Sequence, residues 1–237
     1  MKELLAKAIA NRVKNGEIIG FGSGSTTEIA ITEIGKRIAA EGLQVFAIPT
    51  SCRTAILASE VGVYVLEAAA SVTIAWAFDG ADEVDPEFNM IKGRGGAMLS
   101  EKIIAKRAKE LVIVVTKDKL VQKLGTHHAV PVEVIPEALP LAVDGLRSLG
   151  AKDVGLRPAV NKYGPEMSEH NNLILDAHFE KITAALEQQI KSLTGVVESG
   201  LFFGFNQELL VAEGNAVISR RIKDGRIVEI ELPLPLL

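Results

Sequence analysis

One cysteine, one tryptophan and two tyrosines are all that 237 residues contain of these types, and such scarcities close off whole classes of protein. A single thiol, Cys52, forms no intramolecular disulfide and suits a reducing compartment. No catalytic motif accompanies it in the sequence, so a quiet, partly buried thiol is expected. Basic residues are outnumbered, 26 against 30 acidic ones, for a formal net charge of −4. Nowhere do lysines and arginines interleave with aromatics, so no nucleic-acid partner is expected. No apolar run approaches the roughly 18 to 20 residues of a membrane span, and the amino terminus reads as an amphipathic helix, not a signal peptide. A cytoplasmic protein without a membrane partner is therefore expected. Histidines number four. His127 and His128 face apart as chain neighbours and lack a third ligand, while His170 and His178 sit in no motif, so no metal site is expected.

What is present is ordinary for a folded globular chain, 48% apolar and 24% charged. The length suits one large domain, or one carrying a smaller second. Apolar periodicity predicts helix over 2–14, strand over 17–21, helix over 27–40 and strand over 43–48. Ser51 is placed to cap a helix over 53–60, and strands at 63–66 and 72–78, a helix over 97–108 and a strand at 111–115 follow. Strands alternating with helices predict a parallel sheet covered on both faces, with ligands beyond the carboxyl ends of the strands. The pattern then changes. Strand 132–135, helix 137–149, strands 153–160 and 173–177, helix 181–193 and strand 196–203 have the βαββαβ order of a ferredoxin-like unit. A strand at 209–212, a Gly214-Asn215 turn and a hairpin at Asp224-Gly225 return the chain to the first domain. The expected organisation is thus α/β: residues 1–128 and 205–237 form the parallel-sheet domain, and 129–204 an inserted α+β domain serving as a lid or oligomer interface.

Chemistry concentrates between Trp76 and Lys106. Asp79 ends a predicted strand and Asp82 follows on the same turn. Lys92 then precedes Gly93, Arg94, Gly95 and Gly96, and Glu101 falls near the first turn of the next helix. Carboxylates, an ammonium group and bare N–H groups at a helix start can converge on one small anion. A second anion-binding candidate is the loop Gly22-Ser23-Gly24-Ser25-Thr26-Thr27, between a strand and a helix. It lacks the lysine of a Walker loop and the last glycine of the dinucleotide fingerprint. Ile48-Pro49-Thr50 stands where a ribose-binding acid is usual, so no nicotinamide cofactor is expected. Its hydroxyls suit a small polyhydroxylated phosphate ester; a plain capped turn is the simpler alternative. The acidic run fails the spacing of a calcium loop, and Glu83, Asp85 and Glu87 read as solvated loop charge.

Gly22-Ser23-Gly24-Ser25-Thr26, Asp79-Gly80-Ala81-Asp82-Glu83, Ile91-Lys92-Gly93, Glu101-Lys102-Ile103 and Pro131-Val132-Glu133-Val134 together resemble ribose-5-phosphate isomerase of the A type. The likeness continues through Asn172-Leu173-Ile174-Leu175-Asp176 and Gly195-Val196-Val197. This resemblance implies a Rossmann-like domain carrying a ferredoxin-like one, usually in a dimer or tetramer. It also implies interconversion of ribose 5-phosphate and ribulose 5-phosphate, in the non-oxidative pentose phosphate pathway, with neither metal nor cofactor. Carried over by position, Glu101 matches the proton-transferring base. Ser23, Gly24, Ser25, Thr26, Asp79, Gly80, Ala81, Asp82, Lys92, Gly93, Arg94, Gly95 and Lys119 match substrate-binding segments, and Lys2 an amino-terminal phosphate-binding lysine. Lys92 is assigned to the enediolate, and Asp79 and Asp82 to sugar hydroxyls or ring opening. Two positions depart from the family pattern: Arg94 interrupts the usual glycine run, and Ser100 stands where an arginine often precedes the glutamate. A sugar-phosphate sensor and an acyl-CoA transferase are competing readings on related folds. The retained Glu101 and the absence of a helix-turn-helix segment speak against the first, the missing transferase motif against the second.

Overall fold

Leu5, Ala6, Ile9 and Ala10 fall on one side of the first helix, and burial of that stripe defines α1 (Lys2–Arg12). In this computed structural model, which describes residues 1–233, the chain continues with β1 (Ile18–Phe21), α2 (Ser25–Glu41), β2 (Phe46–Pro49), α3 (Cys52–Glu60), β3 (Tyr64–Val65) and β4 (Trp76–Asp79). Next come β5 (Glu83–Val84), β6 (Met90–Ile91), α4 (Met98–Arg107), β7 (Leu111–Thr116), β8 (Val130–Val134), α5 (Leu139–Ser148) and β9 (Ala151–Leu156). The last elements are β10 (Leu173–Phe179), α6 (Ala184–Lys191), β11 (Val196–Ser199), β12 (Leu201–Phe202), β13 (Gln207–Glu213), β14 (Ala216–Lys223) and β15 (Arg226–Glu231). Residues 234–237, which the sequence reading joins to the first domain, lie outside the described residues.

The chain divides into two compact units, the first made of Met1–Gly80, Ile103–Lys119 and the chain from Asn206 onward. Its sheet has the order β15-β14-β13-β7-β4-β1-β2-β3. The six strands from β3 to β13 pair in parallel. Numbered along the chain they follow the order 3-2-1-4-5-6 of a Rossmann sheet, whose direction of winding reverses between β1 and β4. Two features differ from the expected all-parallel, doubly covered sheet. The tight Gly214-Asn215 and Asp224-Gly225 turns allow only antiparallel return, so β14 and β15 extend the sheet as antiparallel strands. Strand β15 is exposed along its whole length. The core beneath the central strands includes Ile9, Ile31, Ile34, Phe21 and Phe78, and the two phenylalanine rings lie 5.1 Å apart.

The second unit comprises Ala81–Lys102 and Leu120–Phe205. Its four-stranded antiparallel sheet runs β11-β8-β10-β9, the 4-1-3-2 order of a ferredoxin-like unit. Val130, Val132, Val134, Leu175 and Ala177 face α5 and α6, packing on Ala142, Leu146, Leu186 and Ile190. A single strand over 196–203 does not form. The chain breaks at Gly200, where a Cβ would come within 2.1 Å of the Lys92 carbonyl oxygen, and β12 joins a separate sheet of order β12-β6-β5.

That small sheet overturns one expectation. Glu83 is not solvated loop charge: it lies on β5 with no exposed surface. Its Oε2 accepts the N–H groups of Gly125 (2.7 Å) and Thr126 (3.3 Å), and Oε1 those of His127 (2.5 Å) and His128 (2.8 Å). A local count of charges reads such a residue as surface; one buried carboxylate instead orders a whole turn of backbone. Cys52 is corrected the other way, being exposed at the start of α3. Glu83→Ala should leave several buried donors unsatisfied and lower unfolding free energy by about 3–5 kcal/mol. Urea denaturation checks this as a fall in midpoint at unchanged slope.

Candidate active site

Parallel pairing of Phe21 with Phe78 sets the end of β1 beside the end of β4, where the first unit's sequence candidates gather. Asp79, 5% exposed, closes β4, and its Oδ1 accepts the N–H groups of Ser23 (3.1 Å) and Gly80 (2.8 Å). A Cβ on Gly22 would meet that oxygen at 2.2 Å, so only glycine lets the loop pass this closely. The Ser23 hydroxyl turns toward β2 and α3. It lies 2.8 Å from Thr50 Oγ1, 2.7 Å from Ser51 Oγ and 3.3 Å from Thr54 Oγ1. Ser51 caps α3 as expected, accepting the Thr54 N–H at 3.2 Å. Thr50 and Thr54 were not singled out from the sequence. The register of Phe21 with Pro49, which brings the residues after both strands side by side, is the signal that finds them.

Helix α2 begins differently. Gly24 is its N-cap, with φ at 113°, and no side chain caps its first amides. Those N–H groups point outward at the positive end of the helix dipole. Lys2 Nζ donates to Ser25 Oγ at 2.7 Å. The Asp118 carboxyl is held below the usual range, first by a hydrogen bond from Thr116 and further by the charges of Lys119 and Lys2. Both ammonium groups therefore act on one locality in the first unit, and Ser25 is part of it.

In the second unit Lys92 Nζ stands 3.3 Å from Glu101 Oε2, with the two side chains 4% and 5% exposed. Helix α4 supplies Glu101 from its first turn; the loop after β6 supplies Lys92. Asp82 Oδ2 accepts the Arg94 N–H at 3.1 Å. Gly93 and Gly96 have φ of 92° and 79°, whereas Arg94 and Gly95 are not left-handed. A glycine is thus needed at 93, where a Cβ would also strike Met98 at 2.8 Å, but not at 94. Arg94 is exposed, and its departure from the family's glycine run costs the backbone nothing.

Behind the pair lies charge that the sequence reading did not single out. Lys102 Nζ binds Glu187 Oε1 at 2.8 Å and Glu198 Oε1 at 2.9 Å. The Phe202 ring lies within cation–π reach of both lysines, its centroid 5.5 Å from Lys92 Nζ and 4.8 Å from Lys102 Nζ. Burial pushes the Glu198 carboxyl up, but the Lys102 charge and hydrogen bond outweigh it, and the net shift is downward.

The candidates therefore form two groups. Lys2, Ser23, Gly24, Ser25, Thr26, Asp79, Gly80 and Lys119 belong to the first unit; Ala81, Asp82, Lys92, Gly93, Arg94, Gly95 and Glu101 belong to the second. Among the described residues no cluster of three or more His, Cys, Asp or Glu side chains is arranged to hold a metal ion. No helix there is long and apolar enough to cross a membrane.

A Rossmann sheet with a hydroxyl-rich loop at its switch point, and a ferredoxin-like unit with a buried lysine–glutamate pair, define the class: an α/β enzyme equipped for acid–base chemistry on a small polar substrate. The family model of ribose 5-phosphate isomerase A (phosphoriboisomerase A) matches residues 46–216. The chain belongs to that family. Ribose-5-phosphate isomerase A of Synechococcus sp. is 43% identical over 216 residues, covering 90% of this chain and 93% of that protein. That of Methanothermobacter thermautotrophicus is 40% identical over 206 residues, 86% of this chain and 90% of that protein. The solved ribose 5-phosphate isomerase A from Methanocaldococcus jannaschii superposes with a TM-score of 0.89 at 37% identity, over 93% of this chain and 98% of that one. A D-ribose-5-phosphate isomerase solved in complex with phospho-erythronic acid superposes with a TM-score of 0.86 at 32% identity, over 98% and 97% of the two chains.

The Glu198 shift generates a pH prediction. A carboxyl whose folded pKa lies below its ordinary value of 4.5 contributes stability above that value and loses it as pH falls through the folded pKa. Glu198→Gln should therefore cost about 2 kcal/mol near pH 7, and the gap to wild type should narrow on acidification below about pH 4.5. Denaturation of both proteins across that range checks it; a gap that widens toward acid contradicts the assignment.

Proposed function

We propose that the protein is an aldose–ketose isomerase that interconverts D-ribose 5-phosphate and D-ribulose 5-phosphate through an enediolate. The single observation that carries the reading is the buried Lys92–Glu101 pair, 3.3 Å apart, in a member of this family. Moving a carbonyl from C1 to C2 requires one base to take the C2 proton and deliver it to C1, and one cationic group where the enediolate oxygens gain charge. The Glu101 carboxylate removes the proton from C2 as the C1 carbonyl becomes an enediolate oxygen; the C2 hydroxyl proton then passes to O1, which moves the charge to O2, and the same carboxyl returns its proton to C1 as the C2–O bond becomes the ketone carbonyl. Lys92 offsets the charge that develops on the two oxygens. Asp79 and Asp82 orient hydroxyls or assist ring opening. The free amides at the start of α2, with Lys2, Ser25 and Lys119, receive the fixed negative charge of the phosphate. A relative was solved with phospho-erythronic acid, a sugar-acid phosphate whose carboxylate carries charge on two oxygens as an enediolate does.

The inserted domain of 129–204 is a lid or an oligomerisation domain, and the catalytic domain of 1–128 and 205–237 lends residues 81–102 and 120–128 to the second compact unit. The working form is a cytoplasmic homodimer or homotetramer using no metal or cofactor. A single exposed cysteine agrees with a reducing compartment.

The test is conversion of ribose 5-phosphate to ribulose 5-phosphate in the presence of EDTA. Wild type should turn over at a rate the chelator does not change, and Glu101→Gln should lose about 10²- to 10⁴-fold in kcat. No turnover by wild type overturns the function; near-normal turnover by the variant overturns only the choice of base.

A further inference from the structure

The glycine loop that follows Lys92 is held from outside. Arg157, just past β9, sends Nη1 to the carbonyl oxygens of Gly93 (3.2 Å) and Arg94 (2.9 Å). Its Nε and Nη2 donate to Asp176 Oδ2 (2.9 Å) and Oδ1 (2.5 Å), a bidentate fork on a side chain only 12% exposed. Asp176 sits on β10, an inner strand paired on both sides, with Pro131 and Gly155 opposite it. The anchor is therefore rigid.

A peptide unit is planar, and its C=O and N–H point in opposite directions. In the unit joining Gly93 to Arg94, the C=O is shared by Arg157 and by the Gly96 N–H at 3.0 Å, while the N–H is given to Asp82 Oδ2 at 3.1 Å. Rotating that plane breaks all three bonds at once. Of the two groups on the C=O, only Arg157 is anchored outside the loop; the Gly96 N–H belongs to a glycine run that can move with it, since Gly93 and Gly96 already occupy the left-handed region and Gly95 has open space around it. We infer that Arg157 is a positioning residue for Asp82: anchored on Asp176, it fixes the Gly93–Arg94 peptide, and that peptide aims the Asp82 carboxylate. A lysine at 157 keeps the charge but cannot serve two carboxylate oxygens and two carbonyls from one planar group. The inference rests on the proposed function only in taking Asp82 to touch the sugar.

Two readouts test it. The first is kcat/KM on ribose 5-phosphate for Arg157→Ala, Asp82→Asn and the double variant. If Arg157 acts through Asp82, each single change costs about 10- to 100-fold and the double variant falls no more than about threefold below the worse single one. Losses that multiply overturn the inference. The second needs no activity: hydrogen exchange at the Arg94 amide should accelerate about tenfold or more in Arg157→Ala and in Arg157→Lys, with the amides of β10 unchanged. Unchanged exchange at Arg94, or equal acceleration throughout β10, overturns it. Arg157→Lys retains the ion pair with Asp176 and serves if the alanine variant does not fold. If wild type does not convert ribose 5-phosphate, the function reading falls and the exchange result alone decides the positioning role.

Discussion

Two opposite charges, Lys92 and Glu101, are held 3.3 Å apart almost wholly out of water, and much of the second unit follows from the cost of doing so. Removing an ion from water costs several kcal/mol even after relaxation, and a partner in contact recovers that only when the remaining polar atoms are also satisfied. The surroundings behave accordingly. Phe202 turns its ring toward both Lys92 and Lys102, and Lys102 is itself neutralised by Glu187 and Glu198. Well-packed apolar residues in place of this array would stabilise a fold at least as well. Its retention makes sense if the pair is needed as a carboxylate and an ammonium, ready to take a proton and to offset charge.

The first unit holds its buried carboxylate with backbone groups. Asp79 is buried nearly as deeply, and its Oδ1 accepts the N–H groups of Ser23 and Gly80. Amide donors on fixed backbone hold a carboxylate in one orientation. Ser23, Thr50, Ser51 and Thr54 extend the same logic, since hydroxyls that satisfy one another keep the loop fixed while its outer amides stay available.

What the sequence made legible was local. Asp79 at a strand end, the hydroxyl loop before α2, the glycine cluster and Glu101 one turn into a helix each announce themselves within a few residues, and periodicity sufficed for the helices and central strands. Two kinds of error had a common cause. Glu83 looked solvated because its neighbours in sequence are acidic, while its partners, the amides of 125–128, are some forty positions away. Thr50, Thr54, Arg157 and Phe202 carry no motif and acquire a role only through strand register or through loops that meet in space. The antiparallel extension β14–β15 was hinted at by its turns, but the direction of a whole sheet edge depends on how those turns close.

The choice of an antiparallel sheet for the second unit has its own consequence. A parallel sheet wound on both faces must be apolar on both, whereas an antiparallel one can commit a single face to the core. Here β8 gives Val132 and Val134, and β10 Leu175 and Ala177, to the helices. On the opposite face Glu133 stands across from Ile174 and, on the other side, from Glu198, and Asp176 is two residues along from Ile174. Three carboxylates on one face, two of them directly opposed, would repel if left alone. Each instead takes a different donor: Glu198 the ammonium of Lys102, Asp176 the fork of Arg157, Glu133 the Ser168 hydroxyl at 2.7 Å and the Asn172 amide at 2.8 Å. Each of those donors leads back to the segment between Lys92 and Lys102. Lys102 is its last residue, Arg157 grips the carbonyls of Gly93 and Arg94, and Ser168 begins the turn whose Glu169 N–H reaches Gly96 at 3.1 Å. The polar face of the sheet is thus a set of fixed anchors for one glycine-rich loop. A loop with that much intrinsic freedom can present Lys92 and Glu101 reproducibly, and hold out its Arg94 N–H to Asp82, only because the sheet behind it is fixed.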